Sequence, residues 1–360
     1  MRACITGQIG LDKKPFIKKV ADLAKKEGHD VTLANVGDMM YAEAPDISAG
    51  RILDLPLSRL NALRRSVLKD AIQKADKAEN LILNTHATFR WRHGLFPAFD
   101  LDQMQALRIE LYITLLDNVD AVHLRLVRDH QINHTLKDLM VWREEEIFAT
   151  EVLAGATAGY GRFYVCARTE HDGGVETVYR LLFHPDMRKV YLSFPMSHVM
   201  DMPKILADID AFREEVGRHF IAFDPADMNE KRLHYAAVKA AEAGEQYITV
   251  TVLGEELKFD TKEVLEVARD IHGQIYARDF KMIDQADMII SYIPETADGK
   301  PGLSSGVERE LQHAYEATKE VYVIWTPNAE PSPFVTETAT RVFASTEAAL
   351  EYFDKKGYLK

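Results

Sequence analysis

An α/β protein of two three-layer domains, each a parallel sheet covered by helices, is the fold class this sequence predicts. Three observations carry the prediction. The chain has 360 residues, more than one hydrophobic core usually serves, so two domains of about 150 to 200 residues are expected. Short apolar runs alternate with longer helical patterns, which is how a helix-covered parallel sheet is written in sequence. The alternation runs once through the first half and restarts near position 189.

In the first half, runs of aliphatic and β-branched residues predict strands at 2–6 (RACIT), 30–34 (DVTLA), 80–84 (NLILN), 110–115 (ELYITL) and 162–167 (RFYVCA). Helices fit between them at 15–28, 56–76, 118–131 and 135–153. The stretch 168–187 holds Gly173, Gly174 and a helix that closes the domain. A boundary near Arg188 then divides the chain into 1–187 and 188–360. The second half opens with KVYLSF at 189–194, followed by a helix at 203–218 and a strand HFIAF at 219–223. Further strands are expected at 286–293 (ADMIISYI) and 320–325 (EVYVIW). Gly299, Pro301 and Gly302 mark a loop between them, and a helix opens near Ser304 and runs to about Ala317.

Hydrophobic residues make up 47% and charged residues 28%, a composition that builds cores and argues against long disorder. Lys plus Arg total 44 against 56 Asp plus Glu, a formal charge of -12, so no nucleic acid partner is expected. Residues 1–150 hold 21 basic and 21 acidic side chains, leaving 23 and 35 for the remainder, which places the negative surplus in the second part. Cys4 and Cys166 each sit in an apolar run, predicting a reducing compartment with neither a disulfide framework nor a cysteine metal site. Without a charged-then-apolar leader or an apolar run near ~18 residues, secretion and membrane spanning are disfavoured and a cytoplasmic location is expected. His123, His130 and His134 lack a carboxylate third ligand and read as surface groups, so no metal site is expected.

RACIT runs into Gly7-Gln8-Ile9-Gly10-Leu11-Asp12-Lys13-Lys14 and then a helix, the position where phosphate-binding loops sit. Glycines are needed there because backbone N–H groups must curl around phosphate oxygens with no Cβ in the way. Gly7, Gly10 and Lys13 keep the expected order, but Asp12 replaces a glycine and Lys14 replaces the hydroxyl that would hold magnesium. A plain strand-to-helix turn, phosphate binding without turnover and a working kinase all stay open. His86-Ala-Thr-Phe89-Arg90-Trp91-Arg92-His93 brings cations and rings together, which suits a base stacked on a ring with its phosphate on Arg90 or Arg92, or else a solvated loop.

With the loop start Ile5-Thr6-Gly7, Asn84-Thr85-His86-Ala87, Gly94-Leu95-Phe96-Pro97 and Arg125-Leu126-Val127-Arg128-Asp129, the first half resembles the adenylate-kinase-like P-loop nucleoside monophosphate kinases, particularly in their archaeal form. The resemblance implies a nucleotide-binding domain with ATP and Mg2+ at the loop, bound by Gly7, Gly10, Lys13 and Lys14. It also implies that Arg125, Arg128 and Arg143 neutralise phosphate charge, beside Arg90 of the 86–93 stretch as a nucleotide-binding candidate.

The second half carries polar clusters at strand ends and helix starts, where open parallel sheets bind ligands. They are Tyr191-Leu-Ser193-Phe-Pro195-Met-Ser197, Phe223-Asp224-Pro225, Arg278-Asp279 ahead of Ala286-Asp287, and Ser304-Ser305-Gly306-Val-Glu308-Arg-Glu310. Ser304 or Ser305 caps a helix whose N-terminus attracts an anion, and Gly306 lets a ligand approach the backbone. Glu308 and Glu310 lie about 200° apart around a helix, so only one faces the crevice. Leu311 and Ala314 continue the buried rhythm from Glu310 and select it.

These four pieces, in this order, resemble the nucleoside 2'-deoxyribosyltransferase superfamily, including the 2'-deoxynucleoside 5'-phosphate N-hydrolases. The resemblance implies a Rossmann-like domain in which Glu310 is the nucleophile at the anomeric carbon, assisted by Asp279 and Tyr191. Ser193, Ser197, Asp224, Ser304, Ser305 and Gly306 would hold substrate, the serines at 304 and 197 gripping a 5'-phosphate. No cofactor is implied for glycosidic cleavage. Pockets in that family are often completed across subunits, so a homodimer is implied. Hydrolase and transferase stay open, as do a nucleotide sensor without turnover and an active nucleoside monophosphate kinase.

Overall fold

A computed structural model describes residues 1–48, 50–91, 94–168, 173–196 and 199–359. Ser197, Arg92 and His93 lie outside the described residues. The chain divides into two compact units, Met1–Phe183 with Met228–Gln274, and His184–Asp227 with Ile275–Lys360.

In chain order, the first stretch forms β1 (Arg2–Thr6), α1 (Lys13–Lys26), β2 (Val31–Asn35), α2 (Val36–Glu43), α3 (Leu57–Lys77), β3 (Asn80–Asn84), β4 (Thr88–Trp91), β5 (Gly94–Pro97) and α4 (Leu101–Leu107). It continues with β6 (Leu111–Leu116), α5 (Val119–His130), α6 (Leu136–Thr157), β7 (Phe163–Ala167) and α7 (Gly173–Phe183). Five parallel strands order as β2-β3-β1-β6-β7. Ala3, Cys4 and Ile5 of β1 and nearly all of β6 are buried, because a parallel strand covered on both faces must be apolar along its length. α3 buries Leu60, Arg64, Val67, Leu68, Ala71 and Ala75, the three-and-four spacing of a helix with one face on a core. All five strands expected in this half form, within two residues of the expected limits, whereas α2, α4 and the β4–β5 hairpin add elements the apolar rhythm did not announce.

Beyond residue 183 come β8 (Lys189–Ser193), α8 (Pro203–His219) and β9 (Ile221–Phe223). Next are α9 (Lys231–Glu242), β10 (Tyr247–Val252), β11 (Glu255–Asp260), α10 (Thr261–Glu266) and α11 (Ala268–Gln285). The chain ends with β12 (Met288–Ile293), α12 (Ser305–Glu316), β13 (Glu320–Trp325), α13 (Pro333–Thr336), β14 (Arg341–Phe343) and α14 (Thr346–Lys355). The second sheet, also five-stranded and parallel, orders as β14-β13-β12-β8-β9. The protein is thus α/β with two parallel five-stranded sheets.

Residues 228–274 pack with the first unit, although the sequence reading grouped them with the second. Buried pairs account for this. Glu230 takes both Arg143 guanidinium nitrogens at 2.7 and 3.1 Å and the Val119 N–H at 2.8 Å. Arg232 pairs with buried Asp120 at 2.5 Å, while Val252 of β10 packs on Ala121 and Leu124 of α5. Both cysteines are free and buried, and among the described residues no helix is long and apolar enough to cross a membrane.

Candidate functional site

In the second sheet β8 is flanked by β9 and β12, so the connections leave in opposite directions and open a crevice at the C-terminal ends of β8 and β12. Tyr191 and Ser193, two apart on β8, point to the same face. The Tyr191 hydroxyl donates to Glu310 Oε1 at 3.1 Å and the Ser193 hydroxyl to Oε2 at 2.6 Å. Ser291, the register partner of Ser193 on β12, donates to Ser193 Oγ at 3.3 Å. Both serines are fully buried. Each hydroxyl-to-carboxylate bond contributes about 1.5 to 3 kcal/mol, and together they fix the plane of the Glu310 carboxylate. Burial, then the Glu310 charge, push the Tyr191 phenol well above its usual range, so it remains a donor.

Glu310 lies on α12, capped by Ser304 Oγ, which accepts the Val307 N–H at 3.3 Å. Of the two capping alternatives the structure uses Ser304, and Ser305 and Gly306 are exposed on the first turn. Glu308 is exposed and Glu310 partly buried, as the 200° separation requires. Asp279 sits on α11, buried beside Arg278, whose Nη2 approaches it at 3.0 Å. Asp224 follows β9 and is held by Arg213 Nε at 2.7 Å and the Ala226 N–H at 2.8 Å. Sequence reasoning missed Ser291 and Arg213. Ser291 alone left a signal, a polar residue inside an otherwise apolar strand.

In the first unit the loop after β1 leads directly into α1. Gly7 and Gly10 have φ of 140° and 85°, and a Cβ on Gly10 would meet Val122 O at 3.0 Å, so a glycine is required there. Asp12 takes the left-handed region at φ 50°, which aspartate tolerates better than most residues. Buried Lys13 donates to Gly7 O at 2.6 Å and lies 3.1 Å from His86 Nδ1. Burial lowers the Lys13 ammonium to about 8, offset in part by the Glu146 charge. Burial and the Lys13 charge together push His86 well below the usual histidine range. Glu146 of α6 is buried and accepts from Gly7 N, Ala87 N, Thr88 N and Thr88 Oγ1 at 2.6 to 3.2 Å.

Magnesium and a nucleoside triphosphate can be tested against this loop. Lys14 stands at the hydroxyl position and reaches Asp38 at 2.7 Å, and Asp12 places a carboxylate at the N-terminus of α1. The Lys13 ammonium suits an anion, but Gly7 and Gly10 are closely packed by Leu11, Leu115, Val122 and Leu126, the Gly7 N–H is taken by Glu146, and the expected metal-holding oxygen is missing. The four arginines already have carboxylate partners. Arg90 pairs with Glu145 at 2.5 Å, Arg125 with Asp117 at 2.8 Å, Arg128 with Asp129 and Glu255 at 2.7 Å, and Arg143 with Glu230. Among the described residues no group of three or more His, Cys, Asp or Glu is arranged to hold a metal ion.

Among solved structures the chain is similar to the shikimate kinase from Bacteroides thetaiotaomicron at 15% identity, over 51% of this chain and 97% of that one, with a TM-score of 0.36. It is also similar to a gluconokinase from Sinorhizobium meliloti 1021 at 11% identity, over 51% and 96%, with a TM-score of 0.30. No curated protein matches. The family model described as an AAA domain matches residues 6–143 of the 360, the part of the chain that holds the loop after β1.

Proposed function

We propose that the second unit cleaves or exchanges the bond between a base and deoxyribose, in a nucleoside or its 5'-monophosphate, with Glu310 as the nucleophile. The observation that carries this reading is the Glu310 carboxylate gripped by Tyr191 and Ser193 at the switch point of the sheet. Such a bond breaks through an oxocarbenium-like state, which a positioned carboxylate traps as an ester. Ser304, Ser305 and Gly306 at the N-terminus of α12 suit a 5'-phosphate, and Asp279 positions the sugar or assists at the base. Water as the second acceptor makes the enzyme a hydrolase, and a second base makes it a transferase. The test is chromatography for free base after incubation with nucleosides and nucleoside monophosphates. No base from any of them at high enzyme concentration overturns the reading.

For the first unit, Asp12, Lys14 and the paired arginines favour binding of a nucleotide or phosphate group without phosphoryl transfer. Calorimetry should show ATP binding that does not need Mg2+, with no ADP formed in the presence of a nucleoside monophosphate. The affinity should hold below pH 8 and fall as pH rises through about 8, because Lys13 is charged below that value and neutral above it. Lys13→Ala should remove the binding. Monophosphate-dependent ADP formation would instead make this an active nucleoside monophosphate kinase.

A further inference from the structure

Arg168 stands directly after β7, where its N–H donates to Leu116 O at the end of β6 at 2.6 Å. That is the C-terminal edge of the first sheet, the side on which the loop after β1 lies and on which such sheets bind ligands. Two contacts bring its guanidinium to the loop. Nη2 lies 3.7 Å from Asp12 Oδ2, on the residue before α1, and Nη1 lies 3.4 Å from Asp117 Oδ2. The same Asp117 oxygen takes Arg125 Nη1 at 2.8 Å, and that nitrogen also donates to Gly10 O of the loop at 3.2 Å. Two guanidiniums therefore share one carboxylate oxygen, since the other Asp117 oxygen accepts the Asn118 N–H at 2.8 Å. The sharing is unequal. Arg90, Arg125, Arg128 and Arg143 are each held by a carboxylate at 2.5 to 2.8 Å, whereas the carboxylate contacts of Arg168 are the 3.4 and 3.7 Å ones. Its Nε is buried with no hydrogen-bond partner among the described residues. Burial, then the Arg125 charge, lower the Arg168 guanidinium from its ordinary value, as expected of a cation short of anion. Asp12 is as loosely committed. It makes no side-chain capping bond to α1, and its side chain is about half exposed.

We propose that Arg168 is the exchangeable cation of this loop, leaving Asp12 to grip a phosphate group of a bound nucleoside triphosphate alongside Lys13. This rests on the reading of the first unit as a nucleotide binder. The Gly7 N–H is already taken by Glu146, so the loop has one backbone donor fewer for phosphate oxygens. A guanidinium brought in from the end of β7 supplies charge-assisted donors in its place. An incoming anion also relieves the crowding of Arg125 and Arg168 on a single Asp117 oxygen. Asp12, which replaces the glycine of the standard loop, is then a competitor of the phosphate for Arg168. It holds the guanidinium beside the loop while the site is empty and yields it to the more highly charged anion.

The test is calorimetry of ATP binding to the full chain without Mg2+, with urea unfolding of each variant beside it. Arg168→Ala should weaken ATP binding by about 10-fold or more, the loss of a charge-assisted contact to phosphate. Asp12→Asn should tighten it by about twofold or more, the scale of an exposed ion pair, and that gain should shrink in the double variant, where there is no Arg168 to release. Arg218→Ala, which removes an equal charge from α8 of the second unit, should leave the affinity within about twofold. If Arg168→Ala does not fold, Arg168→Gln replaces it, keeping hydrogen-bond donors toward Asp117 but no charge. An unchanged affinity in the folded Arg168 variant, no gain in Asp12→Asn, or a gain of the same size without Arg168 overturns the assignment while leaving nucleotide binding intact. If the wild-type chain binds no ATP, the nucleotide-binding reading itself falls and takes the Arg168 role with it.

Discussion

Glu310→Gln should reduce release of free base by about 10³-fold or more, a loss of about 4 kcal/mol or more in transition-state stabilisation. A carboxamide cannot close an ester at the anomeric carbon, so the covalent route is removed rather than slowed. The replacement is close to isosteric, and its oxygen and nitrogen can still meet the Tyr191 and Ser193 hydroxyls that now hold the carboxylate. Folding should therefore be unchanged, which urea unfolding checks. Glu308→Gln, two residues away on the exposed face of α12, should keep activity within about twofold. Equal effects at the two positions would mean that the helix start matters only as a structural element, and base release would need another nucleophile.

The choice between these two glutamates was legible because helical geometry alone separates them, and Leu311 and Ala314 marked the buried side. Parallel strands were legible for a similar reason. β6 and β12 are buried along their length, and a strand covered on both faces is apolar without interruption. Features that depend on partners far apart in sequence left no such trace. Arg143 meets Glu230 across 87 positions and Arg128 meets Glu255 across 127, so both arginines read as free cations until the fold pairs them. Residues 228–274 gave no sign of joining the first unit, because contiguous sequence is the default for a domain and only Asp120, Arg143 and the α5 face show why the segment belongs there.

Glu230→Ala should destabilise the first unit by about 3 to 5 kcal/mol, the usual consequence of removing one partner from a buried ion pair. Both ends are buried, and Glu230 also takes the Val119 N–H at the start of α5, so the substitution leaves a guanidinium and a backbone donor without their carboxylate. Gln274 Oε1 still meets the guanidinium, but a neutral amide oxygen cannot balance its charge. Urea unfolding followed by fluorescence of Trp142, the neighbour of Arg143 on α6, reads the loss. Arg128→Ala is the control, since its partners Asp129 and Glu255 are roughly half exposed and such pairs are screened by solvent. The same variant decides what Arg143 is for. An arginine held in reserve for phosphate would be released by losing Glu230, and ATP would bind more tightly with little change in unfolding. An arginine that works as a strut, as its buried pairing to residues 228–274 requires, has no such reserve, and its release costs stability without any gain in nucleotide affinity.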